Sequence, residues 1–374
     1  MNQDYLCRYK FGKYPNNVIL MDRILEAASD LVRQLDLLDI RSLGISEYNQ
    51  RYLGSYIATE NNRVNNLTRY AFILAWVLDG SDKEPENFTF VDYGGGHGLM
   101  SLLAKAAGIK QVIYCDIFEQ SCIDAQLIGK QLGLEADVYL VGGIEALESH
   151  LGANGKSVDG IGSYDVIEHI YDVRLFLTRL EYIVSEGGAV FLASAANEKN
   201  PRIRKNLRRV HREFEAQDRL ETKGRKPTDE IRSLFDVRLE IVRAVLEGKH
   251  FKNDELNKLA ARTRGMLTED IKRAAIIFMN SGIYPEALQH PTNTCDPSNG
   301  NWFENLLNPM SLSDILNQSG FQSEIRVGFY DSGNTKSSEF LKMIFNFSIR
   351  LLGKLGITLA PYYAIYAKRM SIGK

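Results

Sequence analysis

The sequence predicts an α/β protein in which helices cover both faces of a mostly parallel sheet. Short apolar runs alternate with helical segments between residues 86 and 196, and this alternation is typical of parallel strands joined by crossover helices. A glycine-rich loop follows the first apolar run. A charged helical stretch, residues 197–290, then separates the last of these runs from a C-terminal part with renewed β character. A connection of that length indicates a functional loop or a subdomain.

Composition excludes several classes of protein. The chain has 374 residues, 44% hydrophobic and 25% charged, which is typical of a globular protein with a buried core. A net charge of −2 gives no indication of nucleic-acid binding. The polar start lacks the apolar region of a signal peptide, and no uncharged apolar run is long enough to span a bilayer. The four cysteines show no CxxC pairing. We therefore expect a cytoplasmic protein without disulfides, bound metal or a transmembrane segment.

Residues 1–85 are expected to form an N-terminal helical cover. Apolar residues recur at helical spacing between positions 24 and 38, and a second helix is expected over 67–78, after a polar stretch. Tyr48, Tyr52 and Tyr56 are spaced four apart. If this segment is helical, they share one face, where they either line a pocket for a substrate or simply pack.

Residues 86–196 are expected to form the core of the sheet. Helices are expected over 99–107, 121–132, 144–151 and 175–184, with Gly187-Gly188 breaking the last of them. Strands are expected over 88–93, 112–116, 138–141, 158–162 and 189–193.

Residues 197–290 are expected to form a large helical insertion that serves as a lid or substrate subdomain. Asn200-Pro201 is a typical start of a helix, and further helices are expected to start at Thr228 and Thr268. The first helix carries a basic stripe that includes Arg204 and Arg208. Such a stripe is either a solvated face, offset by nearby acidic residues, or a binding site for an anionic group.

Residues 291–374 are expected to complete the core sheet with strands over 321–330 and 362–367. The apolar segment between them, residues 340–361, carries Lys342, Arg350 and Lys354. Three interpretations stay open for this segment: packing on the sheet edge, contact in a homodimer, or contact with a membrane surface.

The glycine-rich loop reads Asp92-Tyr93-Gly94-Gly95-Gly96-His97-Gly98. Such a loop between strand and helix offers backbone N–H groups and lets a ligand approach closely. A dinucleotide-binding loop requires G-x-G-x-x-G, which fails at Leu99 when counted from Gly94. The spacing D-x-G-x-G-x-G instead resembles the motif of class I S-adenosylmethionine-dependent methyltransferases.

A carboxylate is expected at the end of the second strand, at Asp116, eighteen residues past Gly98. At that position it can accept hydrogen bonds from both hydroxyls of a ribose. The alternative is that Asp116 only caps the following helix.

Residues 158–172 and 176–188 resemble further segments of the same family, in its ubiquinone-biosynthesis-like branch. The resemblance covers roughly 88–197 closely, and 302–321 and 362–368 more loosely. It implies a Rossmann-like seven-stranded, mostly parallel sheet with an antiparallel last hairpin, and S-adenosylmethionine as cofactor. Either Arg63 or Arg69 is a candidate for the cofactor's carboxylate. The cofactor-binding residues that the resemblance and the spacing indicate are Asp92, Gly94, Gly96, Gly98, Asp116, Ile117, Ile144 and Tyr164.

The sequence departs from the family pattern after the third strand, where an acidic residue usually holds the adenine amino group. Here the chain reads Val141-Gly142-Gly143-Ile144-Glu145. Backbone groups and Ile144 are therefore expected to hold the adenine, with Glu145 as a poor substitute for the missing acid.

Glu168 and His169 follow the fourth strand and are the candidate catalytic residues. The unperturbed pKa of histidine suits a general base near neutral pH. The alternative is that this pair only holds the loop by hydrogen bonds. His97, inside the glycine loop, is expected to pack against the following helix.

Together these features predict a methyltransferase that acts on a small molecule, by O-methylation of a sugar, a glycan precursor or another anionic metabolite. Arg204 and Arg208 are the candidate substrate-binding residues. A catalytically silent S-adenosylmethionine-binding scaffold and an N-methyltransferase are the alternatives, while the glycine spacing disfavours a nicotinamide dehydrogenase. No nucleic-acid partner is expected, and a homodimer is one arrangement that the sequence allows.

Overall fold

The computed structural model describes residues 15–81, 83–153, 155–219, 226–227, 229–288, 292–331 and 336–371. The predicted helix start at Thr228 lies outside them. The described chain divides into two compact units. The core unit comprises the residues up to Ile167, Arg174–Asn200 and those from Asn308 onward, and the insert unit comprises Glu168–Val173 and Pro201–Leu307. The division into four segments that we expect from the sequence stays a prediction.

The core unit contains a seven-stranded sheet in the order β3-β2-β1-β4-β5-β7-β6. Strands β1 to β5 pair in parallel, and β7 is antiparallel to both β5 and β6. This confirms the predicted Rossmann-like sheet with its antiparallel last hairpin. The order reverses beside β1, which pairs with β2 on one side and β4 on the other. Ligands of such sheets bind where the order reverses, outside the carboxyl ends of the strands. The strands are β1 Thr89–Tyr93, β2 Gln111–Asp116, β3 Val138–Val141, β4 Val158–Tyr164, β5 Val184–Ser194, β6 Phe321–Val327 and β7 Tyr363–Arg369.

Helices precede, connect and follow these strands. In the core unit they are α1 Val18–Asp36, α2 Glu47–Ile57, α3 Glu60–Asp79, α4 Leu99–Ala106, α5 Glu119–Leu132, α6 Ile144–Ala153, α7 Val173–Ile183 (whose first residue belongs to the insert unit), α12 Pro309–Gln318 and α13 Lys336–Leu352. In the insert unit they are α8 Pro201–Ala216, α9 Leu234–Val245, α10 Asn253–Arg262 and α11 Thr268–Ser281. Short 3-10 turns occupy Ile40–Leu43, Pro85–Asn87, Ile167–His169 and Gly353–Thr358.

The N-terminal helices pack on the sheet as an apolar layer. The buried face of α1 includes Ile24, Ala28, Leu31 and Leu35, which confirms the predicted periodicity. Helix α3 starts earlier than predicted, because the Thr59 hydroxyl caps its first turn by accepting from the backbone N–H of Asn62 at 3.1 Å. The polar residues after Thr59 therefore belong to the helix. The buried part of α3 packs in the same core cluster as strand β1.

The junction before β5 differs from the predicted one. Helix α7 ends at Ile183, and the strand begins at once with Val184, which pairs with Val158 of β4. The register shifts before the next pair, Gly160 with Ala189. Gly187 lies inside this irregular stretch with φ 75°. The glycine pair thus makes a bulge in the strand and does not end the helix.

The insert unit has a core of its own. Buried apolar side chains of α9, α10 and α11 form it, among them Val242, Leu259, Ile271 and Phe278. The predicted helix starts at Pro201 and Thr268 are confirmed. None of the helices that the structure describes is long and apolar enough to cross a membrane.

Candidate functional site

The glycine loop joins β1 to α4 at the carboxyl edge of the sheet, where the strand order reverses. The backbone N–H of Gly94 donates to the Cys115 carbonyl of β2 at 2.7 Å. Gly94 has φ 72°, and an added Cβ would lie 2.3 Å from Val166 Cγ2. Only glycine fits there, because other residues are strained at this φ and the space is already filled. The loop therefore lies flat against the strand ends.

Asp116 ties the end of β2 to this loop. Its Oδ2 accepts from the backbone N–H of Gly96 at 2.9 Å, and its Oδ1 accepts from the backbone N–H of Phe118 at 2.8 Å. The carboxylate is buried, with 7% exposure. A carboxylate has about four acceptor sites, so each oxygen keeps the capacity to accept one more hydrogen bond. The bond to Phe118 is not the predicted helix cap, because Phe118 is itself the N-cap residue of α5 and that helix has no side-chain cap hydrogen bond. The remaining capacity of the Asp116 carboxylate agrees with ribose binding.

The Asp92 carboxylate accepts hydrogen bonds from a residue of the protein itself, Ser101. Its Oδ2 accepts from both the backbone N–H (3.0 Å) and the hydroxyl (2.8 Å) of Ser101 in α4. Burial raises the pKa of this carboxyl to about 7. Asp92 thus fixes the helix behind the loop, and direct contact with a cofactor stays a prediction.

The other predicted cofactor residues lie at or just beyond the carboxyl ends of β2, β3 and β4, on both sides of β1. Ile117 follows Asp116 and is 69% exposed, whereas Ile144 is buried at the start of α6. Tyr164 ends β4, and the Arg69 guanidinium stacks 4.6 Å from its ring centroid. Glu145 is paired with Arg179 at 2.7 Å and is exposed, so its carboxylate already has a partner.

Each of the two candidate arginines already has a carboxylate partner within the protein. Arg63 pairs with Asp36 and donates to the Ile57 carbonyl at 2.8 Å. Arg69 pairs with Asp331, and both arginines are buried. The physical reason is that a buried guanidinium requires an anionic or carbonyl partner, and the protein supplies one for each. Whether either arginine also contacts the carboxylate of the cofactor stays a prediction.

An aromatic cluster from α2 covers the glycine loop. The rings of Tyr52 and Tyr56 lie 4.9 and 4.4 Å from the imidazole of His97, centroid to centroid. Tyr48 packs edge-on against Phe118 at 5.6 Å, next to Asp116. His97 therefore packs against α2, not only against α4 as expected. The predicted shared face of the three tyrosines is confirmed, and it packs on the loop.

His97 is neutral in the folded protein, because burial lowers its pKa from 6.5 to about 3. Its Nε2 has no hydrogen-bond partner among the described residues. Below pH 6.5 the unfolded chain binds a proton at His97, whereas the folded chain does not. The contribution of His97 to the free energy of unfolding is therefore fully present above pH 6.5 and decreases as pH falls toward 3.

A His97→Phe variant is therefore expected to keep its stability better than the wild type as pH falls. Between pH 7 and 5 the difference in unfolding free energy should shift by about 2 kcal/mol in favour of the variant. Urea unfolding at both pH values measures it. The raised pKa of Asp92 has the opposite effect: it stabilises the folded state at low pH, and this contribution is lost as pH rises to about 7. Because Asp92 is present in both proteins, its contribution cancels in the difference between them. An unchanged difference would contradict a buried neutral His97.

In the insert unit, Glu168 and His169 lie on a short chain segment bound to residues 302–305. The backbone N–H of Trp302 donates to the His169 carbonyl at 3.2 Å, and that of Asn305 donates to the Glu168 carbonyl at 3.0 Å. His169 Nδ1 lies 2.7 Å from the Trp302 carbonyl oxygen. A carbonyl only accepts, so Nδ1 carries the proton and Nε2 of the neutral ring carries the lone pair. The Tyr171 ring stacks on Trp302 at 5.4 Å.

The basic stripe of α8 is only partly neutralised. The acidic residues expected to offset it have other partners: Glu213 is near Arg209 at 3.7 Å, and Glu215 pairs with the buried Arg238 at 2.5 Å. Within the described part of the chain, Arg204 and Arg208 have no ion-pair partner. Both interpretations of these two arginines, a solvated face and an anion-binding site, therefore stay open.

Two residues with structural roles near the loop were not predicted from the sequence. Asp165, just after β4, has φ 54° and accepts from the backbone N–H of Ala195 at 2.8 Å, which joins the ends of β4 and β5. Asp124 of α5 is fully buried and accepts from the Asn49 amide at 2.7 Å and from Ser46. It holds α2 over the loop. Ser46 also caps the start of α2, but no local sequence pattern connects it to Asp124.

Comparisons with known proteins agree with this geometry. A family model described as a methyltransferase domain matches residues 91–192. Ubiquinone biosynthesis O-methyltransferases are similar: that of Rhizobium etli is 30% identical over 109 residues, 29% of this chain and 42% of the relative. That of Brucella ovis is 30% identical over 135 residues, which are 34% of this chain and 52% of the relative. The chain thus spans about half the length of the curated relatives it matches. Among solved structures, the plantazolicin methyltransferase BpumL in complex with SAH is 16% identical with a TM-score of 0.38, covering 93% of this chain and 99% of that chain.

Proposed function

The chain contains a class I S-adenosylmethionine-dependent methyltransferase domain, and from this premise we propose that it transfers a methyl group to a hydroxyl of a small, anionic acceptor. One observation carries the proposal. The acid at the end of β2 is hydrogen-bonded to the glycine loop itself, through Asp116 Oδ2 and the Gly96 N–H. The two parts of the motif thus form one site in the core unit.

Asp116 fits the ribose of the cofactor. Its carboxylate is held by two backbone N–H groups, so its orientation is fixed before a ligand binds, and its remaining lone pairs suit a pair of vicinal hydroxyls. Gly94, Gly96 and Gly98 keep the loop free of side chains, which lets the ligand approach the backbone. Ile117, Ile144 and Tyr164 are proposed to contact the cofactor beside this loop.

When bound, S-adenosylmethionine supplies a methyl group on a positively charged sulfonium. The chain's own task is to orient the acceptor hydroxyl and to remove its proton as the new C–O bond forms. We assign the proton removal to Nε2 of His169, because the Trp302 carbonyl holds the proton of this ring on Nδ1. Glu168, whose side chain is fully buried beside it, is a positioning residue for this loop.

The anionic character of the acceptor is proposed from Arg204 and Arg208. Guanidinium groups bind phosphate and carboxylate through paired hydrogen bonds, and these two lack protein counter-ions in the described chain. A sugar or glycan precursor that carries such a group fits both requirements. The O-methyltransferase names of the similar relatives support oxygen as the methylated atom.

Thermal unfolding with S-adenosylmethionine, S-adenosylhomocysteine or NAD tests the cofactor. We expect the first two to raise the midpoint, since a ligand that binds only the folded state stabilises it by mass action. A shift with NAD alone would refute the proposal. A methyl-release assay against pooled phosphorylated and carboxylated sugars then tests the activity, and Arg204→Ala and Arg208→Ala should raise the acceptor KM without changing cofactor affinity.

The assay also separates the alternatives. A scaffold subunit would bind the cofactor and release no methylated product. An N-methyltransferase would show product with amine acceptors and no need for a base, since an amine only has to be presented unprotonated.

A further inference from the structure

Helix α13 of the core unit presents an apolar face to solvent. Four large side chains recur at helical spacing along it, a fifth lies in the following 3-10 turn, and all are at least 46% exposed. We call them the apolar stripe. Single exposed apolar residues are common, whereas a continuous exposed row marks an interaction surface. The stripe consists of Phe340 (58%), Ile344 (46%), Phe347 (65%), Leu351 (76%) and Leu355 (69%).

The opposite face of α13 is fixed to the protein. Ile349 is fully buried in a cluster with Phe329 and Ala360. The Asn346 side chain donates to the Tyr330 carbonyl at 2.9 Å and accepts from the Tyr330 backbone N–H at 2.8 Å. These bonds set the rotation of the helix about its axis. The apolar stripe therefore cannot turn inward without breaking them, and its exposure is a property of the fold.

The charge of this segment is positive. Residues 336–361 contain four basic residues and one acidic residue, Glu339, a net charge of +3. Arg350 of the helix and Lys354 of the following 3-10 turn are both exposed. An exposed apolar face with flanking cations is the pattern of helices that lie in the plane of a membrane interface.

We propose that the apolar stripe binds the surface of an anionic lipid bilayer, with its apolar side chains among the acyl chains and Arg350 and Lys354 at the headgroups. Charge complementarity favours this occupant over a second copy of the chain. A two-fold contact places the same patch against itself, and would bring two segments of charge +3 together. An anionic bilayer instead offers the opposite charge to a segment that is positive overall. This inference does not depend on the proposed function.

The test is flotation of the full chain with vesicles made of equal parts phosphatidylglycerol and phosphatidylcholine. We expect binding to these vesicles, weaker binding to pure phosphatidylcholine, and loss of binding as salt is raised. Phe347→Ser with Leu351→Ser should weaken binding at least tenfold. Arg350→Gln and Lys354→Gln should each weaken it about fivefold.

A matched control is Tyr182→Ser, which removes an equally exposed side chain (75%) from α7. It should bind vesicles like the wild type. Circular dichroism and the unfolding midpoint verify that the stripe variants are folded. The proposal is overturned if the wild type does not float with anionic vesicles. It is also overturned if sedimentation shows a dimer that the stripe variants abolish while vesicle binding is unaffected.

Discussion

Asp116→Ala is expected to weaken S-adenosylmethionine binding by about two to three orders of magnitude. The complex would lose two charge-assisted hydrogen bonds between the carboxylate and the ribose hydroxyls, each contributing about 1.5–3 kcal/mol. Water bound to the hydroxyls in the variant would offset part of this loss. The variant also loses the bond that holds Gly96, at 2.9 Å, so the loop becomes less ordered. Isothermal titration or the ligand-induced shift in unfolding midpoint measures the change.

Asp137→Ala is the matched control for this variant. Like Asp116, Asp137 accepts from a backbone N–H, in this case that of Val112 near the start of β2 at 2.7 Å. It also pairs with Lys105. It lies at the other end of that strand. We expect a similar loss of fold stability and unchanged cofactor affinity. Equal affinities of the two variants would show that Asp116 only holds the glycine loop in place.

His169→Ala is expected to lower kcat by about 10²–10⁴-fold, the usual contribution of a general base. Cofactor affinity should stay unchanged. The substitution alone does not separate catalysis from a loop-holding role, because it also removes the Nδ1 hydrogen bond to Trp302.

His169→Asn separates the two roles. An asparagine amide can still donate to the Trp302 carbonyl from about the position of Nδ1, but it is no base. If His169 removes the proton, the Asn variant should be as slow as the Ala variant in single-turnover assays. Near-wild-type kcat in the Asn variant would assign His169 to holding the loop and would leave the base to another residue.

Local patterns in the sequence predicted the parts of the fold and site that depend on neighbouring residues. The glycine spacing and Asp116 have their predicted positions at adjacent strand ends because a strand–loop–helix unit fixes its own geometry. The buried face of α1 followed from its 3.6-residue period in the same way.

Contacts between distant residues were not predictable in this way. Arg69 pairs with Asp331, 262 residues away, and no local pattern connects them. The left-handed backbone at Asp165 depends on the junction of two strands. The start of α3 was misplaced because its first turn is polar, and only the cap at Thr59 marks it.

The position of β7 between β5 and β6 has a consequence for how the chain acquires its structure. During synthesis β6 emerges before β7, which is its partner in the described sheet. Until the strand ending at Arg369 is made, the unpaired edges of β5 and β6 are both open to pairing with other chains. Folding of the sheet is therefore completed only after translation has passed this strand. Chains truncated before it are expected to aggregate, however well β1 to β4 are formed.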